Sequence, residues 1–142
     1  ASDKGSVDVT APVITVDAPD NTDDTTPTIT GTTDAPAGST VTLVVTDADG
    51  NEQTLTATVQ PGGSYSVDVT IPLAEGNYKV DVSVTDPAGN TGTASDKGSV
   101  DVTAPVITVD APDNTNDTTP TITGTTDAPA GSTVTLVVTD AD

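Results

Sequence analysis

The chain has 142 residues, of which 22 are acidic and three are lysines, so its formal net charge at pH 7 is −19. It contains no Cys, His, Phe, Trp or Met, and its aromatic residues are Tyr65 and Tyr78. This composition excludes a disulfide-stapled domain and the usual nucleophile–base pairs of enzymes, and so acidic a chain repels nucleic-acid phosphates and anionic membrane surfaces.

Short runs rich in Val, Thr and Ile follow one another along the chain, separated by clusters of Gly, Pro, Asn and Asp. This pattern is typical of β-strands joined by turns, and no helical periodicity interrupts it. In chain order, strands are predicted at residues 13–17, 28–32, 40–47, 52–59, 64–69, 77–85 and from about 91 to 102.

Alternation within these strands predicts one buried and one exposed face. Val41, Leu43 and Val45 share one side of the third strand, and Tyr65 and Tyr78 begin the same kind of face in two later strands. Seven short strands in about 93 residues predict an all-β fold, a seven-stranded antiparallel immunoglobulin-like β-sandwich without the Cys–Trp–Cys core of antibody domains. An irregular β-solenoid is the alternative, although its repeats would be much shorter.

Residues 1–49 recur as residues 94–142 with a single difference, Asp23 against Asn116. The period of 93 residues is the length of one small domain, so we expect a window from a tandem array. Residues 1–10 are then the end of a preceding repeat, 11–103 a complete repeat, and 104–142 the first part of the next. That last part holds three predicted strands, which cannot close a sandwich. Either a longer chain completes it, or a neighbouring chain adds strands to it.

The predicted topology sorts the acidic residues between the two ends of the sandwich. We call the end where the chain comes in the upper end, and the end where it leaves the lower end. The polar residues expected at the upper end are Asp8, Asp34, Asp86 and Asn90. Those expected at the lower end are Asp20, Asp23, Asp24, Asp47, Asp49 and Glu75. Asp101 lies in the linker to the next repeat, in which Asp127 is the counterpart of Asp34.

Carboxylates gathered at a junction between repeats repel one another unless a cation neutralises them. Oxygen donors without His or Cys favour a hard divalent ion, and calcium, with 6–8 ligands in irregular geometry, fits loops better than magnesium. The predicted metal ligands are Asp8, Asp101, Asp34, Asp127, Asp86, Asn90, Asp20, Asp23, Asp24 and Asp49. The alternative for each one is a turn-forming or solvated carboxylate.

Several other polar residues have simpler interpretations. "DADG" at Asp47 copies the start of an EF-hand loop, but Thr58 stands where the loop needs Glu, so a hairpin turn is predicted. Asp68 and Asp81 are expected to be solvated charges on outward faces. Lys79 is also predicted to face solvent, which disfavours an isopeptide crosslink. Without a pocket, paired carboxylates do not predict an enzyme.

Three motifs together resemble a known family. They are "DVTAP" before the first strand, "NDTTPTITGT" at residues 116–125, which is the second copy of the entry to the second strand, and "LAEGNYKVDVSVTDPAGNTGTA" in the last third of the repeat. The chain resembles the bacterial Ig-like (BIg-type) extender repeats of giant type I-secreted, RTX-type, biofilm-associated adhesins. The resemblance implies calcium near the domain junctions, on Asp8, Asp101 and Asp86. The linker is also similar in layout to cadherin junctions but lacks their Asn-Asp pair, which leaves the number of ions open.

The predicted function is therefore that of a structural stalk repeat on the surface of a bacterium, outside the cell. Calcium would stiffen the joints, neighbouring repeats would be the partners, and a tip elsewhere in the full protein would bind the host or surface ligand. Two alternatives remain. In one, the repeat is itself a multivalent module that binds a glycan, ice or a protein. In the other, it is a subunit of a strand-exchanging fibre.

Overall fold

Six strands and no helix make up the regular structure of the chain, and the computed structural model describes all of residues 1–142. They lie in the first of two compact units, Ala1–Val102, and Thr103–Asp142 forms the second. No helix has the length and apolarity needed to cross a membrane. The strands are β1 (Thr28–Thr32), β2 (Thr40–Thr46), β3 (Glu52–Thr58), β4 (Ser64–Asp68), β5 (Gly76–Thr85) and β6 (Thr91–Val100). Each begins and ends within two residues of a predicted strand.

The six strands of the first unit form two antiparallel sheets that enclose a core between them. β1 pairs with β4, and the larger sheet has the order β3-β2-β5-β6. The inward side chains are those that alternation predicted: Val41, Leu43 and Val45 of β2 are 0% exposed, and Tyr65 and Tyr78 are 2% exposed. Burying each such side chain stabilises the fold by about 1.5–3 kcal/mol, so the sheets are held together by this aliphatic layer.

The first predicted strand, residues 13–17, is not a regular strand, so the sandwich has six strands rather than seven. The segment makes two isolated bridges to β1 and the residue that follows it. Side chains form hydrogen bonds with backbone groups of this segment that would pair with the neighbouring strand in a continuous ladder. The Val13 N–H donates to the Asp34 carboxylate at 2.8 Å, and the Thr15 carbonyl accepts a hydrogen bond from the Tyr65 hydroxyl.

After residue 17 the chain crosses to the larger sheet and runs beside the end of β6. Thr22 and Val100 form a parallel bridge. The Thr22 N–H donates to the Ser99 carbonyl at 3.1 Å, and the Asp101 N–H donates to the Thr22 carbonyl at 2.9 Å. The segment 13–22 therefore closes one edge of both sheets, although it forms no strand of its own.

Each tyrosine lies over a glycine of the neighbouring strand. Tyr65 is paired in register with Gly31, and Tyr78 with Gly98. A Cβ at either glycine would lie under 3.0 Å from the ring, closer than real Cβ atoms come. Each tyrosine hydroxyl donates a hydrogen bond to a carbonyl of segment 13–22. In both sheets, therefore, a tyrosine that packs on a glycine holds segment 13–22 through its hydroxyl group.

The second unit repeats the sequence of residues 10–49 without repeating its strands. The residues that correspond to segment 13–22 and β1 are joined by two isolated bridges. In the first unit β1 pairs with β4, and β2 pairs with β3 and β5. The second copy contains no counterparts of β3, β4 and β5. Leu136 is consequently 54% exposed, whereas its counterpart Leu43 is 0% exposed. The apolar side chains line an open groove of about 610 Å³.

Candidate functional site

The upper end of the first unit brings together loops that are far apart in sequence, as the predicted topology required. The Gly38 N–H donates to the Val59 carbonyl at 2.8 Å, which joins the loops after β1 and β3. The Asn90 side chain donates to the carbonyl of Asp8 at 2.9 Å, which joins the loop after β5 to the N-terminal residues. The chain thus comes in beside the loop that precedes β6.

A cluster of three predicted metal ligands, Asp8, Asp86 and Asn90, lies at this point. Asp86 begins the β5–β6 turn, and its carboxylate accepts from the Asn90 backbone N–H at 2.8 Å and from the Asn90 amide at 3.1 Å. The Asp8 carboxylate accepts from the Thr10 N–H at 3.0 Å, and its interaction with the Asp86 carboxyl is one of the causes that lower the pKa of Asp86. Two carboxyl groups in contact must share a proton or a cation to avoid repulsion.

The surroundings of Asp86 change the pKa of its carboxyl group. Partial burial opposes ionisation, but hydrogen bonds from the Asn90 side chain and backbone, from the Ala88 N–H and with the Asp8 carboxyl outweigh it. The net effect lowers the pKa of Asp86 below its ordinary 3.8, so its carboxylate form is favoured. Carboxylate oxygens are ligands that calcium prefers, so Asp8 and Asp86 fit the ion. The Asn90 amide presents its N–H groups to this cluster, so its oxygen does not face an ion there.

Asp34 and its counterpart Asp127 have the same structural role in the two units. The Asp34 carboxylate accepts from the Val13 N–H at 2.8 Å, and that of Asp127 accepts from the Val106 N–H, also at 2.8 Å. Each hydrogen bond joins the first residue of the edge segment, Val13 or its counterpart Val106, to a loop residue that lies 21 positions later in the chain. One oxygen of each carboxylate is therefore already used to hold the backbone.

The predicted ligands at the lower end do not form one cluster. The Asp24 carboxylate closes its own turn by accepting from the Thr26 N–H at 2.9 Å. The Asp101 N–H pairs with the end of segment 13–22. Among the predicted metal ligands at the lower end, Asp20, Asp23 and Asp49 are exposed and their carboxylates accept no hydrogen bond. Nowhere in the chain do three or more Asp or Glu side chains converge in the manner of a metal site. An ion at Asp8 and Asp86 would need backbone carbonyls and water as further ligands.

Sequence reasoning missed several polar groups that hold the loops. The Asp96 carboxylate, on the inner side of β6, accepts from the Ala18 N–H at 2.9 Å. Gln53 of β3 bonds both backbone groups of Ile71, with its amide 2.8 Å from the carbonyl and its oxygen 3.1 Å from the N–H. Asp96 could have been identified from the sequence, because it lies two residues before Gly98 and therefore on the same inward face of β6. Gln53 had none, since its partner lies in an irregular loop.

The hairpin turn predicted at "DADG" is confirmed, and the Asp47 carboxylate that begins it also contacts a residue outside the turn. The Asp47 carboxylate accepts from the N–H groups of Asp49 and Asn51, at 3.0 and 2.9 Å, and its second oxygen lies 3.5 Å from the Ala74 N–H. The Asn51 N–H is the largest cause that lowers the pKa of Asp47, against an opposing effect of burial, with smaller contributions from Ala74 and Asp49. The group is a turn-former rather than part of a calcium loop.

Comparison with known proteins agrees with this architecture. A family model described as bacterial Ig-like domain matches residues 6–104. The solved structure of a "tetra-tandem repeat in extending region of large adhesion protein" is similar, with a TM-score of 0.54 and 34% sequence identity. The alignment covers 82% of this chain and 31% of that one, so the chain spans about a third of that structure's length. A comparison with curated proteins found no match.

A second solved structure shares the fold alone. It is the multi-modular, cell-surface-expressed chitinase ChiW from Paenibacillus sp. str. FPU-7, with a TM-score of 0.53 and 18% identity. The alignment covers 68% of this chain and 9% of that enzyme. The two-sheet sandwich is therefore immunoglobulin-like, and it recurs as one module within a much larger surface protein.

Proposed function

Because the chain belongs to the bacterial Ig-like domain family, we propose that it is a structural extender repeat in the stalk of a large bacterial surface adhesin. The observation that carries this proposal is the 34% identity, over 82% of the chain, to repeats from the extending region of an adhesion protein. The first unit adds a geometric reason, because its chain comes in at one end and leaves at the other. Such units joined head to tail gain length with each copy.

The stalk would stand outside the cell and carry a ligand-binding tip that supports adhesion or biofilm formation. The partners of each repeat would be the neighbouring repeats of its own chain. The formal charge of −19 supports an exposed, soluble stalk, because charge of one sign keeps neighbouring chains apart. Scattering from chains of one, two and four copies tests the role. Maximum dimension should rise in proportion to copy number, and compact particles would contradict it.

Calcium is the ion that we propose at the upper end, held by the carboxylates of Asp8 and Asp86, while Asn90 positions these two residues through its amide N–H groups. Asn90 joins the two residues by donating to the Asp8 carbonyl and to the Asp86 carboxylate, and the surroundings of Asp86 favour its charged form. When bound, the ion supplies two positive charges that neutralise this pair. Since Asp8 lies in the N-terminal segment and Asp86 in the β5–β6 turn, a shared ion would fix that segment to the sandwich.

Titration calorimetry of the 142-residue chain with calcium chloride tests this site. Asp86→Ala should abolish the binding isotherm, and Asp8→Ala should weaken it at least tenfold, because each removes a charged ligand. Asp81→Ala is the matched control. It removes one negative charge from β5, where Asp81 pairs with Lys79 at 3.3 Å, far from the cluster. Equal binding by Asp86→Ala and Asp81→Ala would show that calcium attraction reflects overall charge alone.

A further inference from the structure

We propose that Glu75 is a positioning residue of the joint between repeats, and that it fixes the linker to the repeat that the linker leaves. The following repeat can then bond the opposite side of the same peptide group. The proposal rests on the extender role, because it supposes a whole repeat on each side of the linker. It concerns hydrogen bonds that need no ion, so it is separate from the calcium site at Asp8 and Asp86.

The linker sequence "SVDVTA" occurs twice, at residues 6–11 and at residues 99–104. The first copy shows how a linker meets the repeat that follows it. The second copy shows, as far as Val102, how a linker meets the repeat before it. Both sets of contacts lie in the first unit. Because the two copies have the same sequence, a linker between two whole repeats has the groups needed for both sets.

The repeat before the linker holds it by backbone and side-chain bonds. The Asp101 N–H donates to the Thr22 carbonyl at 2.9 Å, and the Val102 N–H donates to the Glu75 carboxylate at 3.0 Å. Val100, which comes just before these residues, is 2% exposed and belongs to the core. The linker is therefore bound to the first unit as far as residue 102.

The position of Glu75 follows from the end of the β5–β6 ladder. The last pair of that ladder joins Gly76 to Val100. Gly76 has a φ of 122°, which residues other than glycine rarely adopt, so the backbone bends at the start of β5. The Glu75 side chain accepts the N–H of Val102, two residues beyond the last pair. A carboxylate thus holds the linker beyond the point where backbone pairing ends.

The loop that carries Glu75 is itself fixed to the first unit. Leu73 is 4% exposed, and its N–H donates to the Thr25 carbonyl at 2.8 Å. The Ala74 N–H lies 3.5 Å from the Asp47 carboxylate. Glu75 is exposed, so its side chain contributes little to the core. Its bond to the linker should therefore affect the joint more than the stability of the sandwich.

The repeat after the linker bonds the same peptide group from its other side. In the first copy, the Asn90 amide donates to the Asp8 carbonyl at 2.9 Å, and Asp8 corresponds to Asp101. The carbonyl of residue 101 and the N–H of residue 102, which bonds Glu75, belong to one peptide group. No peptide bond of the chain is cis, so these two groups point in opposite directions and their partners do not compete.

A joint of this kind leaves no residue unheld between the repeats. The last linker residue that bonds the preceding repeat is 102, and the first that bonds the following repeat is 101. One planar peptide group then transmits the orientation of one repeat to the next. The calcium proposed at Asp8 and Asp86 acts on the side of the following repeat. Loss of the Glu75 bond should therefore let the joint bend even while calcium is bound.

Amide hydrogen exchange of the 142-residue chain, measured by NMR in EDTA, tests the bond itself. Glu75→Ala should speed exchange of the Val102 N–H about tenfold, because a bond to a charged acceptor is lost. Glu75→Gln is the matched control, since its amide oxygen can accept the same bond without the charge. The Asp101 N–H, which bonds the Thr22 carbonyl, should keep its protection in both variants. Unchanged exchange at Val102 in Glu75→Ala would overturn the proposal.

A two-copy chain, residues 1–142 followed by a copy of residues 50–103, tests the joint. The chain has no native cysteine, so spin labels can be attached at Thr56→Cys, which is exposed on β3, and at the matching position of the second repeat. Double electron–electron resonance in calcium gives the distribution of distances between them. We expect one narrow distribution for the native chain and for Glu75→Gln. Glu75→Ala in the first repeat should give one about twice as wide, because the linker is no longer held at residue 102.

The outcomes separate the joint from the calcium site. A distribution for Glu75→Ala as narrow as the native one would overturn the proposal. So would one for Glu75→Gln as wide as that for Glu75→Ala, because the charge of the carboxylate, rather than its hydrogen bond, would then control the joint. Calcium titration of Glu75→Ala should give the native isotherm, and loss of binding would make Glu75 a ligand instead of a positioning residue.

The same measurements separate the joint from the extender role. If Glu75→Ala widens the distribution but the native chain binds no calcium, the joint stands and the calcium site fails. If the joint is narrow but chains of several copies remain compact in scattering, the joint stands and the extender role fails. If chains are extended but Glu75→Ala changes neither exchange nor distances, the extender role stands and the proposed joint fails.

Discussion

Gly31→Ala places a single methyl group where the ring of Tyr65 lies. Gly31 and Tyr65 are paired across β1 and β4. The new Cβ would come under 3.0 Å from the ring, from the tyrosine oxygen and from the Thr15 carbonyl oxygen. The backbone is extended at this position, so alanine itself causes no conformational strain. The whole effect comes from the space that the ring and the Thr15 carbonyl already occupy.

The magnitude follows from two contributions. Overpacking a methyl group into a filled site costs about 1–3 kcal/mol. Tyr65 is 2% exposed and packed on all sides, so it moves only by giving up its bond to Thr15, which costs about 1 kcal/mol more. A total of about 3 kcal/mol lowers the midpoint of a unit of this size by roughly 10–20 °C.

Thermal melts followed by circular dichroism measure this change, and the chain supplies two controls. Gly124→Ala alters the counterpart of Gly31 in the second unit, which has no tyrosine opposite it, and should leave the melt of the first unit unchanged. Gly31→Ala combined with Tyr65→Leu should lose less than the two single changes together, because the colliding tyrosine ring is absent and only the Thr15 carbonyl still opposes the methyl group. A midpoint for Gly31→Ala within about 2 °C of the native protein would refute the reasoning, since surface changes reach that size.

Three further predictions concern titration and the loop bonds. Burial raises the pKa of Tyr65 and Tyr78 to about 12, so their neutral forms stabilise the fold fully below pH 10 and that stability falls between pH 10 and 12. The free energy of unfolding from urea titrations should decrease over this range by about 2–3 kcal/mol per tyrosine. The pKa of Asp47 is lowered below 3.8, so its carboxylate stabilises the fold above pH 3.8, and this stabilisation is lost as the pH falls through the pKa that Asp47 has in the folded protein. At pH 7 Asp47→Asn should therefore have a lower melting midpoint than the native protein, and in strong acid the two midpoints should be equal. Asp34→Ala should destabilise the first unit by about 0.5–1.5 kcal/mol through loss of its backbone bond, whereas a calorimetric scan of Asp127→Ala should show that unit unchanged.

Most of the fold could be read from the sequence because it depends on period-two alternation. β1 was predicted residue for residue, and β2 to β6 within two residues, since each has inward aliphatic side chains and bounding turn residues. The segment 13–17 has the same alternation but is not a strand. Its bonds go to the Asp34 carboxylate and the Tyr65 hydroxyl, 21 and 50 residues away, and alternation carries no information about such partners.

The candidate site was predictable in part for the same physical reason. Topology placed Asp8, Asp86 and Asn90 at one end, and the structure brings them into contact. Whether a given carboxylate turns to a neighbouring N–H, as Asp34 and Asp24 do, depends on local backbone geometry. Composition identifies an acidic end, but loop conformation decides which of its acids remain available to an ion.

Small-angle scattering of a two-copy chain, in calcium and in EDTA, tests the account of a calcium-stiffened stalk most directly. Residues 1–142 followed by a copy of residues 50–103 give two whole repeats. The account predicts a longer, straighter particle in calcium than in EDTA, and a chain carrying Asp86→Ala in the second copy, at the position that matches residue 86, should resemble the EDTA form in both. Identical scattering with and without calcium, in the native and the altered chain, would contradict it and leave the acidic residues as a solvated surface.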